Sequence, residues 1–221
     1  MKKQFFENEK DGFYGTYYEN PDGADCAVIG LFGDDPNDYM AKCGVKWLHK
    51  NGVNVLCMSP GKKNYSHVNY PLERIEMAIK WLKSNGNRKV GIMGMSTAGM
   101  DAVAAASYFE DITLTIGLTA SDFVWQGFEQ GDRGGCKEWP IPGASTLSWK
   151  GEPLPYMPFV YEHGTHFVLP ESLLRMALPV GLKFVLRFIF RAAKEYPDAC
   201  EATRKDIDRK LSAALKEWRE E

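Results

Sequence analysis

The sequence predicts an α/β protein with a mostly parallel sheet and helices on both faces. Between residues 26 and 121, short apolar runs alternate with amphipathic segments. Apolar runs without a polar alternation are typical of strands that helices cover on both sides. The chain has 221 residues, of which 44% are hydrophobic and 25% charged, and this composition suits a sizeable core. We therefore expect a single domain over residues 1–221.

The predicted elements follow one another regularly. Apolar runs predict strands at 26–32, 53–59, 88–94 and 112–121. Helical spacing predicts helices at 38–52, 71–86 and 97–109. Asn51-Gly52 is typical of a left-handed helix end, and Pro71 of a helix start. One buried face is predicted for the second helix, formed by Leu72, Ile75, Ile79 and Leu82.

The alternation stops at residue 122. Residues 122–159 are rich in Gly, Pro and Trp, and they predict an irregular, lid-like stretch. Residues 159–172 fit a last strand followed by a loop, and helices are expected over 171–221. The last helix is expected to pack through one stripe, formed by Ile207, Leu211, Leu215 and Trp218.

Charge and cysteine usage disfavour several classes of protein. The 27 basic and 29 acidic side chains give a net charge of −2, so no nucleic-acid partner is expected. The five cysteines form no CxxC pair, which predicts reduced thiols and a cytoplasmic protein. The N-terminus lacks the apolar run of a signal peptide. Charges also interrupt the apolar segment 167–190, so no transmembrane segment is expected.

The stretch "GIMGMSTAGM" (91–100) contains the first candidate for chemistry. Ser96 lies between small residues at a predicted strand-to-helix junction, nearly matching the G-x-S-x-G nucleophile elbow. Ala98 stands where the motif has its second Gly. The alternative is an ordinary serine in a glycine-rich turn. As an elbow, the junction would place the Thr97 amide at a helix N-terminus, where it can stabilise an oxyanion.

A second oxyanion amide is expected from the loop after the strand 26–32, near Phe32 and Gly33. Three carboxylates follow in that loop and the helix start, those of Asp34, Asp35 and Asp38. They would disfavour an anionic substrate unless they turn away from the site.

Only four histidines are available as a general base. His49 falls on a predicted helix surface and His67 in a polar loop. In proteins that contain this elbow, the base follows the nucleophile along the chain, which favours His163 or His166. Of these two we prefer His166, in the loop after Gly164. "HGTH" has no third ligand at a sensible spacing, so neither a metal nor another cofactor is expected.

Several segments carry a family resemblance. "AVIGLFG", "YPLERIEMAIKWLKSNG", "VGIMGMSTAG" and "STLSWKGEPLPYMPF" resemble the C-terminal catalytic domain of the acyl-CoA thioester hydrolase / bile acid-CoA:amino acid N-acyltransferase family. The resemblance covers about residues 11–159, and "YEHGTHFVLPES" resembles that family's histidine loop. It implies an α/β-hydrolase fold, Ser96 as nucleophile and His166 as base, and an acyl ester or thioester as substrate, with acyl-CoA among the candidates.

The chain departs from that family after "PLPYMPF", which runs almost directly into "VYEHGTHF". The strand that ends in the catalytic Asp has no counterpart there, so the α/β-hydrolase-like sheet is expected to be reduced at its C-terminal edge. Asp122, at the end of the predicted strand 112–121, is a candidate substitute acid or an ordinary turn residue. The departure leaves two functions open, an active hydrolase and an impaired homologue that binds a ligand or partner.

Aromatic side chains are concentrated in residues 122–159. Trp125, Trp149 and Tyr156 are candidates for lining an acyl or aromatic pocket, or alternatively for covering the end of the sheet. The helix that contains Lys183, Arg187 and Arg191 suggests packing, a homodimer interface or contact with lipid.

Overall fold

The computed structural model describes residues 2–32, 35–59, 66–131, 135–158 and 197–221. The chain divides into two compact units, Met1–Phe159 and Val160–Glu221, and the single domain stays a prediction. In chain order the strands are β1 Lys3–Phe6, β2 Gly15–Tyr18, β3 Cys26–Leu31, β4 Asn54–Met58, β5 Ser66–His67, β6 Tyr70–Pro71, β7 Lys89–Met95, β8 Ile112–Leu118, β9 Gln126–Gly131, β10 Gly135–Ser145, β11 Leu147–Trp149 and β12 Glu152–Pro153. The helices are α1 Asn8–Asp11, α2 Tyr39–Lys50, α3 Glu73–Ser84, α4 Thr97–Tyr108 and α5 Pro197–Glu220.

Six strands form the main sheet, in the order β1-β2-β4-β3-β7-β8. Strands β4, β3, β7 and β8 are parallel, while β2 pairs antiparallel with β4 and with β1. This confirms the predicted α/β class and the mostly parallel sheet. The two antiparallel strands are an addition that the sequence analysis did not predict, because each is only four residues long and lacks a clear alternation.

Helices cover both faces of this sheet. The chain moves from β3 to β4 in one direction along the sheet, and from β4 to β7 to β8 in the other. Right-handed crossovers therefore put α2 on one face and α3 and α4 on the other. All four residues predicted for the buried face of the second helix are buried, at 0% exposure for Leu72, Ile75 and Leu82 and 2% for Ile79.

The stretch 122–159 differs from the irregular lid that its composition predicts. Strand β9 pairs antiparallel with both β10 and β5, and β11 pairs with β12 and with β6. Two register shifts interrupt the β9–β10 pairing, so no regular alternation marks these strands in the sequence. Pro71 belongs to β6, and α3 begins two residues later than predicted.

The second unit is described over α5 alone. Leu215 and Trp218 are buried and Leu211 is half-buried, as the predicted stripe requires, but Ile207 is 53% exposed. The stripe therefore covers only the C-terminal half of the helix. In the described part of the chain, no helix is long and apolar enough to cross a membrane.

Candidate functional site

Ser96 occupies the sharp turn between β7 and α4. Its backbone has φ 57° and ψ −127°, a combination that a residue with a Cβ rarely adopts, and its side chain is exposed. Such a conformation costs on the order of 1–3 kcal/mol and persists only where the surroundings enforce it. The turn lifts the Ser96 hydroxyl out of the sheet, in the geometry that a nucleophile elbow needs.

Small residues on either side make this turn possible. A Cβ at Gly94 would overlap the backbone carbonyl of Ala98, so only glycine fits at that strand position. A Cβ at Gly99 would lie 3.0 Å from the Ala120 Cβ and 3.2 Å from the carbonyl oxygens of Gly94 and Leu118. On the helix side, the position where an added Cβ would be crowded is therefore Gly99, whereas the structure accommodates the Cβ of Ala98 at the second glycine position of the motif.

Backbone hydrogen bonds hold the same turn in place. The Ser96 amide donates to the Leu118 carbonyl at 2.9 Å, and the amides of Gly99 and Met100 donate to the Ser96 carbonyl at 2.9 and 3.1 Å. Thr97 is the first residue of α4, so its amide has no acceptor within its own helix. The positive end of the helix dipole adds to its ability to stabilise an anion beside Ser96.

Phe32 lies at the same edge of the sheet as the turn. The register pairs Leu31 with Gly94, so the chain leaves β3 at the level where β7 approaches Ser96. The half-buried Phe32 ring lies against Gly30 and Gly44, because a Cβ at either glycine would overlap it. Gly33 and Asp34 lie outside the described residues.

The two described carboxylates of this loop are used locally. One Asp35 oxygen accepts from the Asn37 amide at 2.7 Å, and one Asp38 oxygen accepts from the Ala41 amide at 2.7 Å as the N-cap of α2. Each of these two carboxylates is therefore held by a backbone amide of its own segment. Their repulsion of an anionic substrate stays a prediction.

Asp122 follows β8 on the side where that strand meets Ser96. Besides the hydrogen bond from Ser96 to Leu118, Ala120 packs on Gly99 and brings this segment against the first turn of α4. The Asp122 side chain is exposed and lines a groove together with Met100. His163 and His166, which this carboxylate would have to reach, lie outside the described residues.

The three predicted aromatic residues do not lie together. Trp149 packs between Tyr108 and Phe109, with ring centroids 5.6 and 5.5 Å away. Tyr108 ends α4, and twelve residues of helix place it about 18 Å from Ser96. Trp149 therefore covers the far end of this helix rather than the region of the turn.

Trp125 has a different position, in the segment that follows β8. Its indole Nε1 donates to the Ser121 Oγ at 2.6 Å, and its ring lies 5.6 Å from that of Phe123. Tyr156 is half-buried next to Met157, whose backbone bonds to Val124 and to Gln126. Of the predicted three, Trp125 is thus tied to the segment that carries Asp122.

A buried pair behind the turn was missed by the sequence analysis. His67 on β5 and Asp101 on α4 are 0% and 2% exposed, and 3.9 Å separates the His67 Nδ1 from an Asp101 Oδ2. Burial lowers the pKa of His67 to about 3 and raises the pKa of Asp101 to about 8. Because 3.9 Å is too long for a hydrogen bond and burial favours the uncharged form of each group, this is a neutral pair rather than an ion pair.

Asp101 carries the one signal that was available for this pair. It is the only charged residue in the apolar run "TAGMDAVAAASYF" (97–109), where a buried polar partner is required. The other described histidine, His49, bonds through its Nε2 to the Tyr18 carbonyl at 3.2 Å, away from the turn. Among the described residues, no group of three or more His, Cys, Asp or Glu side chains forms a metal site.

Comparisons with known proteins give only distant likenesses. No protein-family model and no curated protein matches the chain. Among solved structures it is similar to an esterase from Pyrococcus furiosus (18% identity, 52% of this chain and 53% of that one, TM-score 0.39). It is also similar to the esterase Est1E from Butyrivibrio proteoclasticus (17%, 54% and 51%, TM-score 0.42) and to an esterase domain from Rhodothermus marinus (16%, 59% and 61%, TM-score 0.43).

The chain spans about half the length of the first two of these esterases. The resemblance to the acyl-CoA thioester hydrolase family stays a prediction, since no family model matches. The α/β class is visible in the chain's own sheet order and in the helices on its two faces.

Proposed function

We propose that this protein is a serine hydrolase of acyl esters or thioesters that acts through a Ser96 acyl-enzyme. The observation that carries the proposal is the backbone of Ser96, at φ 57° and ψ −127° between a buried parallel strand and a helix N-terminus. A turn of this kind is costly, and an exposed hydroxyl beside helix amides is the arrangement that acyl transfer uses. An ordinary glycine-rich turn would not need a non-glycine residue in this conformation.

In the proposed mechanism, the Ser96 Oγ attacks the acyl carbonyl while His166 takes the hydroxyl proton. The Thr97 amide and an amide near Phe32 or Gly33 stabilise the oxyanion. The carbonyl re-forms, the bond to the alcohol or thiol breaks, and His166 returns the proton to that leaving group. Water, or an amine in an acyltransferase, then attacks the acyl-enzyme and restores Ser96.

Asp122 is the proposed substitute for the orienting acid. Its support is positional, since the hydrogen bond from Ser96 to Leu118 and the packing of Ala120 on Gly99 bring its segment to the elbow. An orienting carboxylate selects the histidine tautomer and stabilises the imidazolium. In a serine protease its loss lowers kcat by about 10⁴-fold.

The acyl-CoA preference and the acyltransferase activity rest on the sequence resemblance alone. A cytoplasmic location is supported by the three described cysteines, Cys26, Cys43 and Cys57, which are free thiols. A homodimer has no further support in the described residues.

The decisive experiment is labelling with a fluorophosphonate, which reacts with activated serines. We expect the label on Ser96 in the peptide map, and we expect it to disappear in Ser96→Ala. Thr97→Ser is the matched control, because it keeps the backbone amide and should keep the label. Folded protein that takes no label would contradict the hydrolase and favour the second candidate, an impaired homologue that binds a ligand.

A further inference from the structure

A groove beside α4 shares one residue, Asp122, with the chemistry proposed above and otherwise has no role in it. It has a volume of about 290 Å³. One wall is formed by α4 and the other by the segment that follows β8, and Leu154 and Pro155 also line the groove. Both walls belong to the first unit.

The lining of the groove on α4 starts at Met100, one helical turn after the nucleophile. Helical periodicity puts Met100, Val103 and Ser107 on the face of α4 that continues from Ser96, and all three line the groove. Met100 is one turn, or about 6 Å of helix rise, beyond Ser96. At this end the two walls are held together, since Leu118 accepts the Ser96 amide and Ala120 packs on Gly99.

The walls are apolar and partly open to solvent. Val103 is 40% exposed, Tyr108 42% and Phe123 41%, and these side chains lie on opposite sides of the groove. Large apolar side chains that line one concave surface are typical of a ligand site. Among the described residues that line the groove, Asp122 carries the only charged side chain, and its carboxylate disfavours a second negative charge.

The wall formed by the segment that follows β8 is held in place by its own hydrogen bonds. The Ser121 Oγ donates to the Phe123 carbonyl at 2.9 Å and accepts from the Trp125 Nε1 at 2.6 Å. The Trp125 ring also packs against Phe123. Binding of a ligand in the groove would therefore cost little entropy for ordering this segment.

We propose that this groove binds the acyl chain of the substrate and selects an uncharged aliphatic chain over a short or negatively charged one. The carbonyl carbon at Ser96 would then be followed by methylenes along Met100, Val103 and Tyr108. Since an acyl site needs a nucleophile, this role depends on the function proposed for Ser96.

Val103→Trp tests the groove, because Val103 is exposed and its replacement fills the channel without entering the core. Lys46→Trp, at an exposed position of α2 on the other face of the sheet, is the matched control. The probes are p-nitrophenyl acetate, butyrate and octanoate, with mono-(p-nitrophenyl) succinate as the anionic ester. Fluorophosphonate labelling of Ser96 is measured in each variant.

In the unmodified protein we expect kcat/KM to rise from acetate to octanoate and to be lower for the succinate ester than for butyrate. Val103→Trp should lower kcat/KM for octanoate by about tenfold or more, the discrimination that a few methylenes supply, and should leave acetate and the labelling within about twofold. Lys46→Trp should change none of them.

Two different results would contradict the proposal that the groove binds the acyl chain. If Ser96 is labelled but the chain-length preference is the same in both variants, the acyl chain lies elsewhere while the hydrolase stands. If the unmodified protein takes no label and cleaves no ester, the hydrolase fails and the acyl groove fails with it.

Discussion

Ser96 holds a backbone conformation that glycine would adopt at lower cost, and its neighbours enforce it. Gly94 has no room for a Cβ because the Ala98 carbonyl lies there, while Gly99 closes on Ala120. The strain at one residue is thus maintained by close packing at two others.

Gly94→Ala should therefore destabilise the protein by about 1–3 kcal/mol, the usual cost of overpacking, and should weaken fluorophosphonate labelling at Ser96. Chemical denaturation gives the first quantity and the rate of labelling the second. Gly117→Ala is the matched control, because Gly117 pairs with Gly94 across β7 and β8. A Cβ at Gly117 would lie 3.1 Å from the Ala120 Cβ and 3.9 Å from the Gly99 carbonyl oxygen, whereas a Cβ at Gly94 would overlap the Ala98 carbonyl. Equal effects of the two substitutions would contradict this account.

At the scale of the elements, α4 packs against β5 where the buried side chains of Asp101 and His67 lie 3.9 Å apart. Burial raises the pKa of the Tyr70 hydroxyl on β6, to which Asp101 adds an electrostatic contribution, while the Arg74 guanidinium lies 5.5 Å from the Tyr70 ring. Because burial favours the neutral form of both side chains in the native state, the free energy of unfolding depends on pH in a definite direction.

The native protein keeps the Asp101 proton up to about pH 8, whereas the unfolded chain loses it near pH 3.8. The native protein keeps His67 neutral down to about pH 3, whereas the unfolded chain protonates it near pH 6.5. Between about pH 4 and 6.5 the two differences cancel. Above pH 6.5 only the Asp101 proton remains in excess on the native state, so stability falls as pH rises towards 8.

Urea unfolding between pH 4 and 9 checks this dependence. Asp101→Asn should remove the fall between pH 6.5 and 8, because Asn has no proton to lose. His67→Gln should keep that fall and should extend it down to about pH 4, since the cancelling histidine is gone. Parallel curves for the unmodified protein and Asp101→Asn across pH 6.5–8 would show that Asp101 is ionised in the native state.

The element scale also shows where sequence reasoning succeeds. The predicted strands 26–32, 53–59, 88–94 and 112–121 each match a strand of the parallel sheet to within a few residues at either end. Gly52 has φ 74°, as the predicted helix end requires. By contrast, β9 and β10 were missed because their pairing depends on residues that carry no alternation and that interact across register shifts.

At the scale of the whole molecule, the N-terminal strands complete the core of the first unit. The Phe6 ring of β1 lies 4.8 Å from that of Phe13 and 4.7 Å from that of Trp81 on α3, and Tyr17 of β2 lies 5.0 Å from the same Trp81. The added strands thus attach the beginning of the chain to the face that carries α3 and α4.

Phe6→Ala should lower the free energy of unfolding by about 3–5 kcal/mol, because Phe6 is 1% exposed and its removal leaves a cavity in this cluster. Phe5→Ala, its neighbour at 47% exposure, should cost far less. Thermal and denaturant unfolding of the two variants measure the difference. A loss in Phe6→Ala as small as the loss expected for Phe5→Ala would mean that β1 contributes little to the core.

The sequence by itself determined the alternation of strands and helices, the buried face of α3 and the turn that contains Ser96, because these depend on the spacing of nearby residues. Only the tertiary structure decided that an added Cβ would be crowded at Gly99 while Ala98 is accommodated, that Trp149 lies at the far end of α4, and that His67 lies beside Asp101. Each of these depends on contacts between segments that are distant in the chain, which local periodicity does not encode. The groove beside α4 belongs with them, since its two walls come from α4 and from the segment after β8.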